Sequence, residues 1–86
     1  MRIGKVVGSV VATKKEEELL GCKIMVVKFQ DSKGQDYGYE EVAVDYVGAG
    51  IGELVLVAAG SAVRTKATKT NKPIDLAIVG IIDTVQ

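Results

Sequence analysis

An all-β fold, a small barrel of five strands with one short helix, is what this sequence predicts, and three observations predict it. The apolar content is mostly Val, Ile, Ala and Leu, with one Phe, three Tyr and no Trp, a mixture that suits strands. Runs of strand length are separated by polar or glycine-containing segments. Glycines also recur inside the runs, at Gly4, Gly8 and Gly80, where strongly bent barrel strands use them. Together these features point to a closed or partly open barrel of the OB type.

The elements follow in order. Residues 2–12, RIGKVVGSVVA, are rich in β-branched side chains and read as a first, curved strand. Residues 14–20, KKEEELL, are charged and run straight into Gly21; so short a helix is marginal in isolation, and the segment reads as a solvated loop. Residues 22–29, CKIMVVKF, form the second strand, and residues 30–38, QDSKGQDYG, a polar turn, so that a long hairpin is expected. Residues 41–47 alternate Val42, Val44 and Tyr46 with Ala43, Asp45 and Val47, the period of a third strand. Residues 53–59, ELVLVAA, form a fourth that is apolar on both faces. Such a strand is covered by the core inside and by something else outside, and in a small chain the outer partner expected is another copy. After Gly60, the Ser61 hydroxyl can accept the first free amide bonds of a helix, which places the short helix at residues 61–66, SAVRTK. Polar loop continues to Pro73, and residues 74–85, IDLAIVGIIDTV, are the last strand.

The 86 residues make one domain, 1–86, near the small end of what folds alone, where only about 60% of the unfolded chain's surface is buried. The core is thin, and interfaces of about 800 Å² per partner would cover a large share of the surface. Eleven Lys and Arg balance eleven Asp and Glu, so no net field draws in nucleic acid or anionic membrane, and neutrality permits self-association. The lone Cys22 has no internal disulfide partner and no signal peptide precedes the first strand, which fits a reducing cytoplasm. No apolar stretch approaches the ~20 residues of a membrane helix.

The most informative run is Asp45-Tyr46-Val47-Gly48-Ala49-Gly50-Ile51-Gly52-Glu53. Three glycines at alternate positions between two strands suggest backbone that something approaches closely. A dinucleotide site would need a helix directly after the glycines, and a strand follows instead. Catalysis is poorly supplied: there is no histidine, and Cys22, at the start of an apolar strand, reads as a small core residue. Asp31, Asp36, Glu40, Glu41 and Asp45 are carboxylates without the spacing of a calcium loop, and read as solvated. A single-stranded nucleic-acid-binding barrel, the alternative reading, needs stacking aromatics beside basic residues; Tyr37, Tyr39 and Tyr46 stand instead among Asp36, Glu40, Glu41 and Asp45. Arg64 follows the doubly apolar strand, where its planar fork suits a bridge to Glu53, Asp45 or Asp83 of a neighbouring copy as well as it suits plain solvent.

Three blocks, RIGKVVGSVVATKK, VAVDYVGAGIGELVLVAAGSAVR and PIDLAIVGIIDTV, resemble in order and spacing the signature blocks of the EutN/CcmL family, the pentameric vertex proteins of bacterial microcompartment shells. The resemblance covers nearly the whole chain, and the central pattern D-x-V-G-A-G-x-G-E-x-V-L-V followed by G-S-x-x-R is the specific part. It implies a bent five-stranded barrel with a short helix, assembled as a homo-pentamer that caps the corners of a shell in the bacterial cytoplasm. It further implies hexameric and trimeric shell proteins as partners, with no nucleic acid, membrane, cofactor or metal, no enzymatic activity, and a narrow pore on the five-fold axis. By motif matching, the subunit-interface or pore residues it carries over are Asp45, Gly48, Ala49, Gly50, Gly52, Glu53, Ser61 and Arg64. Val63 departs from the pattern, where the family often has a second small residue. Residues 28–40 resemble nothing specific and are expected to meet neighbouring molecules. Which pathway such a shell encloses is not written in these blocks.

Overall fold

A computed structural model describes residues 1–11, 23–59 and 75–85. Five strands build it: β1 (Arg2–Val10), β2 (Lys23–Gln30), β3 (Glu41–Asp45), β4 (Leu54–Ala59) and β5 (Leu76–Ile81). They close into a barrel in the order β1-β2-β3-β5-β4. All pairings are antiparallel except β3 with β5. The all-β barrel expected from the sequence is therefore the fold, and the five predicted strands are the five observed. The 14–20 loop, Cys22 and the short helix at 61–66 lie outside the described residues, as do Ser61 and Arg64.

Strand β1 serves two ladders. Arg2 to Lys5 pair with β4, Ile3 to Val10 pair with β2, and the register shifts between Val6 and Gly8. A bulge of this kind bends the strand and lets one ribbon turn the corner of a barrel. At Gly4 the reason for glycine is space: a Cβ there would overlap the Val27 Cγ1 methyl.

Alternation along the strands fills the interior with Val6, Met25, Val27, Phe29, Ala43, Val55, Val57 and Ile78, joined by Ala49 from a loop. On β3 it is Ala43 that enters this interior, while Val42 is exposed and Val44 belongs to a second cluster with Ala58 and Ala77. The alternation read at 41–47 gives the strand but not its inward side, because apolar residues occupy both faces and periodicity alone does not choose between them. Strand β4 is apolar on both faces as expected. Part of its outer face is already used within the chain: Ala58 packs with Val44 and Ala77 and is 3% exposed.

Register fixes the two ends of the barrel. At one end Arg2 stacks over the Phe29 ring, 3.6 Å from its centroid, and reaches Glu41 Oε2 at 3.3 Å. The 31–40 loop joins β2 to β3 there. At the other end lie the close of β3 and the start of β4, joined by residues 46–53.

Candidate functional site

The run 45–53 forms one structural unit. Asp45 ends β3 with its side chain fully enclosed, and its carboxylate spends itself on the loop that follows. Oδ1 accepts the Val47 and Gly48 amides at 3.0 and 3.1 Å, and Oδ2 accepts the Ala49 amide at 2.8 Å. An aspartate that accepts successive amides just downstream of itself folds the backbone back over its own side chain. The turn drops the Ala49 methyl into the core, where it is 0% exposed. A small apolar residue plugs that end of the barrel.

The far side of the loop is tied as firmly. Glu53 Oε1 accepts the Gly50 amide at 2.5 Å, and the Glu53 amide donates to Gly50 O at 3.2 Å. Gly52 donates to Val6 O at 2.7 Å, and Val6 donates to Glu53 O at 3.0 Å. The β1–β4 ladder is thereby continued into the loop. Lys23, at the start of β2, donates from Nζ to Ala49 O at 2.8 Å and stands 3.7 Å from Asp45 Oδ2.

Of the predicted site residues, Asp45, Gly48, Ala49, Gly50, Gly52 and Glu53 come together in this loop. Close approach does not explain its glycines within the chain. Gly48 and Gly52 have φ of 80° and 93°, and a Cβ on either would meet nothing within 4 Å; they are glycine because the turn is left-handed there. Gly50 is different, since a Cβ would stand 3.3 Å from Glu53 Oε1. Sequence reasoning missed Lys23. The signal was its phase: it shares the strand face of Met25, Val27 and Phe29 at the end of the barrel, where its side chain stays 52% exposed.

The surface this locked loop presents is apolar: Tyr46, Val47 and Ile51 are 37%, 38% and 67% exposed. Among the described residues no three carboxylates or cysteines gather in a way that would hold a metal ion. Nor do the tyrosines form a stacking track. Tyr37 and Tyr39 lie on the 31–40 loop, at the opposite end of the barrel from Tyr46, and beside Asp36, Glu40 and Glu41; the continuous basic and aromatic groove of a single-strand binder is missing among the described residues.

Known proteins resemble this chain along nearly its whole length. A family model described as ethanolamine utilisation protein EutN/carboxysome matches residues 1–83. The carboxysome shell vertex protein CcmL of Synechocystis sp. is 51% identical over 85 residues, covering 99% of this chain and 85% of the relative. The bacterial microcompartment shell vertex protein GrpN of Rhodospirillum rubrum is 48% identical over 86 residues, covering 100% and 97%. The solved structure of GrpN, described as a pentameric microcompartment shell protein, matches with a TM-score of 0.89 over 100% of this chain and 98% of that one.

Proposed function

The chain belongs to the EutN/CcmL family, and from that premise we propose that it is a structural protein that forms pentamers at the vertices of a bacterial microcompartment shell in the cytoplasm. The role is geometric rather than catalytic: a lattice of six-fold tiles is flat, and it closes only where five-fold units are inserted. Relatives named as shell vertex proteins, identical at about half their positions and alike in fold, support this reading. These relatives support the vertex reading and not the single-strand-binding alternative, which also finds no aromatic track among the described residues.

The 46–53 loop faces neighbouring copies around the five-fold axis, at the subunit seam and by a narrow axial pore. What carries this is one observation: exposed apolar side chains, Val47 and Ile51, stand on a backbone locked by its own hydrogen bonds. A rigid apolar surface is what a repeated subunit contact needs. Ser61 and Arg64 belong to the same proposed contact by motif. The 31–40 loop, at the far end of the barrel with Tyr37 and Tyr39 exposed, is the surface proposed to meet hexameric and trimeric shell proteins.

Mass in solution tests the reading. Five chains of 9.1 kDa give a ring of about 45 kDa by the closed cyclic symmetry expected of a homo-oligomer; a strict monomer at micromolar concentration overturns it. Gly50→Leu should weaken the ring, because the new side chain displaces the Glu53 carboxylate from the Gly50 amide. A Gly50→Leu ring as tight as the wild type would remove the loop from the seam.

A further inference from the structure

Among the described residues, Lys23 is the one side chain outside the 45–53 segment that hydrogen-bonds to it. We infer that Lys23, acting with Asp45, is a positioning residue for assembly: it sets the 46–53 loop in its contact-ready shape within the single chain, before any neighbour arrives. The inference rests on the reading that this loop faces neighbouring copies.

Asp45 fixes the amides of Val47, Gly48 and Ala49, the descending half of the loop. The Ala49 methyl is anchored in the core. Its carbonyl is the point where the chain turns outward again, toward Ile51, and Lys23 Nζ takes that carbonyl at 2.8 Å. The same ammonium stands 3.7 Å from Asp45 Oδ2, whose side chain is 0% exposed. An enclosed carboxylate loses its hydration, and amide donors with a nearby positive charge offset that loss. Lys23 supplies that charge and pins the turning point with one group.

Two residues beyond the pinned carbonyl is Ile51, 67% exposed. The bond from Lys23 on β2 therefore bears directly on where this side chain stands. A loop ordered only on binding charges the association for its lost freedom, whereas a loop ordered in advance does not. Bonds within the chain hold Ala49, Gly50, Gly52 and Glu53 of this one. The ring then forms from a surface already built.

The test compares wild type, Lys23→Met and Lys23→Arg by two readouts: amide hydrogen exchange over residues 47–52, and the protomer concentration at which half the chain is in rings. Lys23→Met should exchange faster in this loop and not in β1, β2 or β4, and should raise the half-assembly concentration about tenfold, the scale of one charge-assisted hydrogen bond. Lys23→Arg, which keeps the charge and the donor, should recover most of both. Unchanged loop exchange in Lys23→Met would overturn the positioning role while leaving the vertex reading intact. Faster exchange with unchanged assembly would instead overturn the reading that the loop lies at the seam. Should Lys23→Met fail to fold, the exchange and assembly of Lys23→Gln decide between the same outcomes.

Discussion

The 31–40 and 46–53 loops leave opposite ends of one barrel and are built from nearly the same parts, yet only one of them belongs to the fold. Each is governed by an aspartate that accepts amides just downstream: Asp31 Oδ1 takes Lys33 and Gln35 at 2.9 and 3.0 Å, as Asp45 takes Val47, Gly48 and Ala49. Each has two glycines of positive φ, Gly34 and Gly38 in the first, Gly48 and Gly52 in the second. The difference is one methyl group and one carboxylate. Every residue of 31–40 is exposed, whereas Ala49 is buried in the core and the Asp45 side chain is enclosed. Turn chemistry bends both loops; a single residue reaching the interior decides which bend is part of the barrel. The bond to the Ala49 amide is then worth more than any at 31–40, because Ala49 is buried and water can replace the bonds of the exposed loop.

Asp45→Ala is the change that should separate the loops most. It strips three amides of their acceptor: the Ala49 amide lies on a buried residue and costs about 1–3 kcal/mol if left unpaired, while those of Val47 and Gly48 lie on exposed residues and can turn to water. It also leaves Lys23 without the charge it faces. With one buried amide unpaired, two bonds exchanged for water and the neighbouring lysine deprived of its partner, the expected loss of unfolding free energy is about 3 kcal/mol. Denaturant titration should be run at one fixed protomer concentration, since assembly itself contributes to apparent stability. A loss below about 1 kcal/mol on that scale would mean that the plug is not anchored through Asp45.

The strands were legible in the sequence because period-two burial is a local pattern. The second strand, read at 22–29, lies at Lys23–Gln30, and the fourth, read at 53–59, lies at Leu54–Ala59. Asp45, the glycines and Glu53 were legible as one constellation, but their purpose was not. Close approach was the expected reason for the glycines, and at Gly48 and Gly52 the reason is positive φ, which spacing does not encode. The close approach occurs at Gly4, where nothing in the run RIGKVVG distinguishes a glycine that lacks room from one that marks a bend. Lys23 escaped notice because a lysine at a strand end reads as solvated. It is in fact half-exposed; only its phase with Met25 and Val27 sets it apart, and its partner carbonyl lies 26 residues away in the chain.

Gly52→Ala sharpens the comparison at the level of backbone alone. Holding an L side chain at positive φ costs roughly 1–2 kcal/mol. At Gly52 the bonds from its amide to Val6 O and from Val6 to Glu53 O prevent the chain from escaping that conformation. The expected loss is therefore the whole of that strain, read by the same denaturant titration. Gly34→Ala meets the same angular demand, with φ of 82°, on a loop free to shift into solvent, and should lose less. Equal losses at the two sites would show that the locked loop is no stiffer than the exposed one.

Asp31→Ala should have the smallest effect, and it is the sharpest control because residue type and bonding mode match Asp45. Asp31 gives up two amide contacts, from Lys33 and Gln35. Two backbone bonds in the same turn remain, Gly34 to Asp31 O at 3.0 Å and Asp31 to Gln35 O at 2.9 Å, and neither depends on the side chain. Both stranded amides lie on exposed residues, so water takes over as acceptor and only the net value of an exposed hydrogen bond is lost, below about 1 kcal/mol. The loop carries nothing into the core, so no cavity or misplaced methyl follows from its loosening. If Asp31→Ala instead cost as much as Asp45→Ala, burial would not be what distinguishes the two ends of the barrel, and the fold would depend on the 31–40 turn as strongly as on the plug.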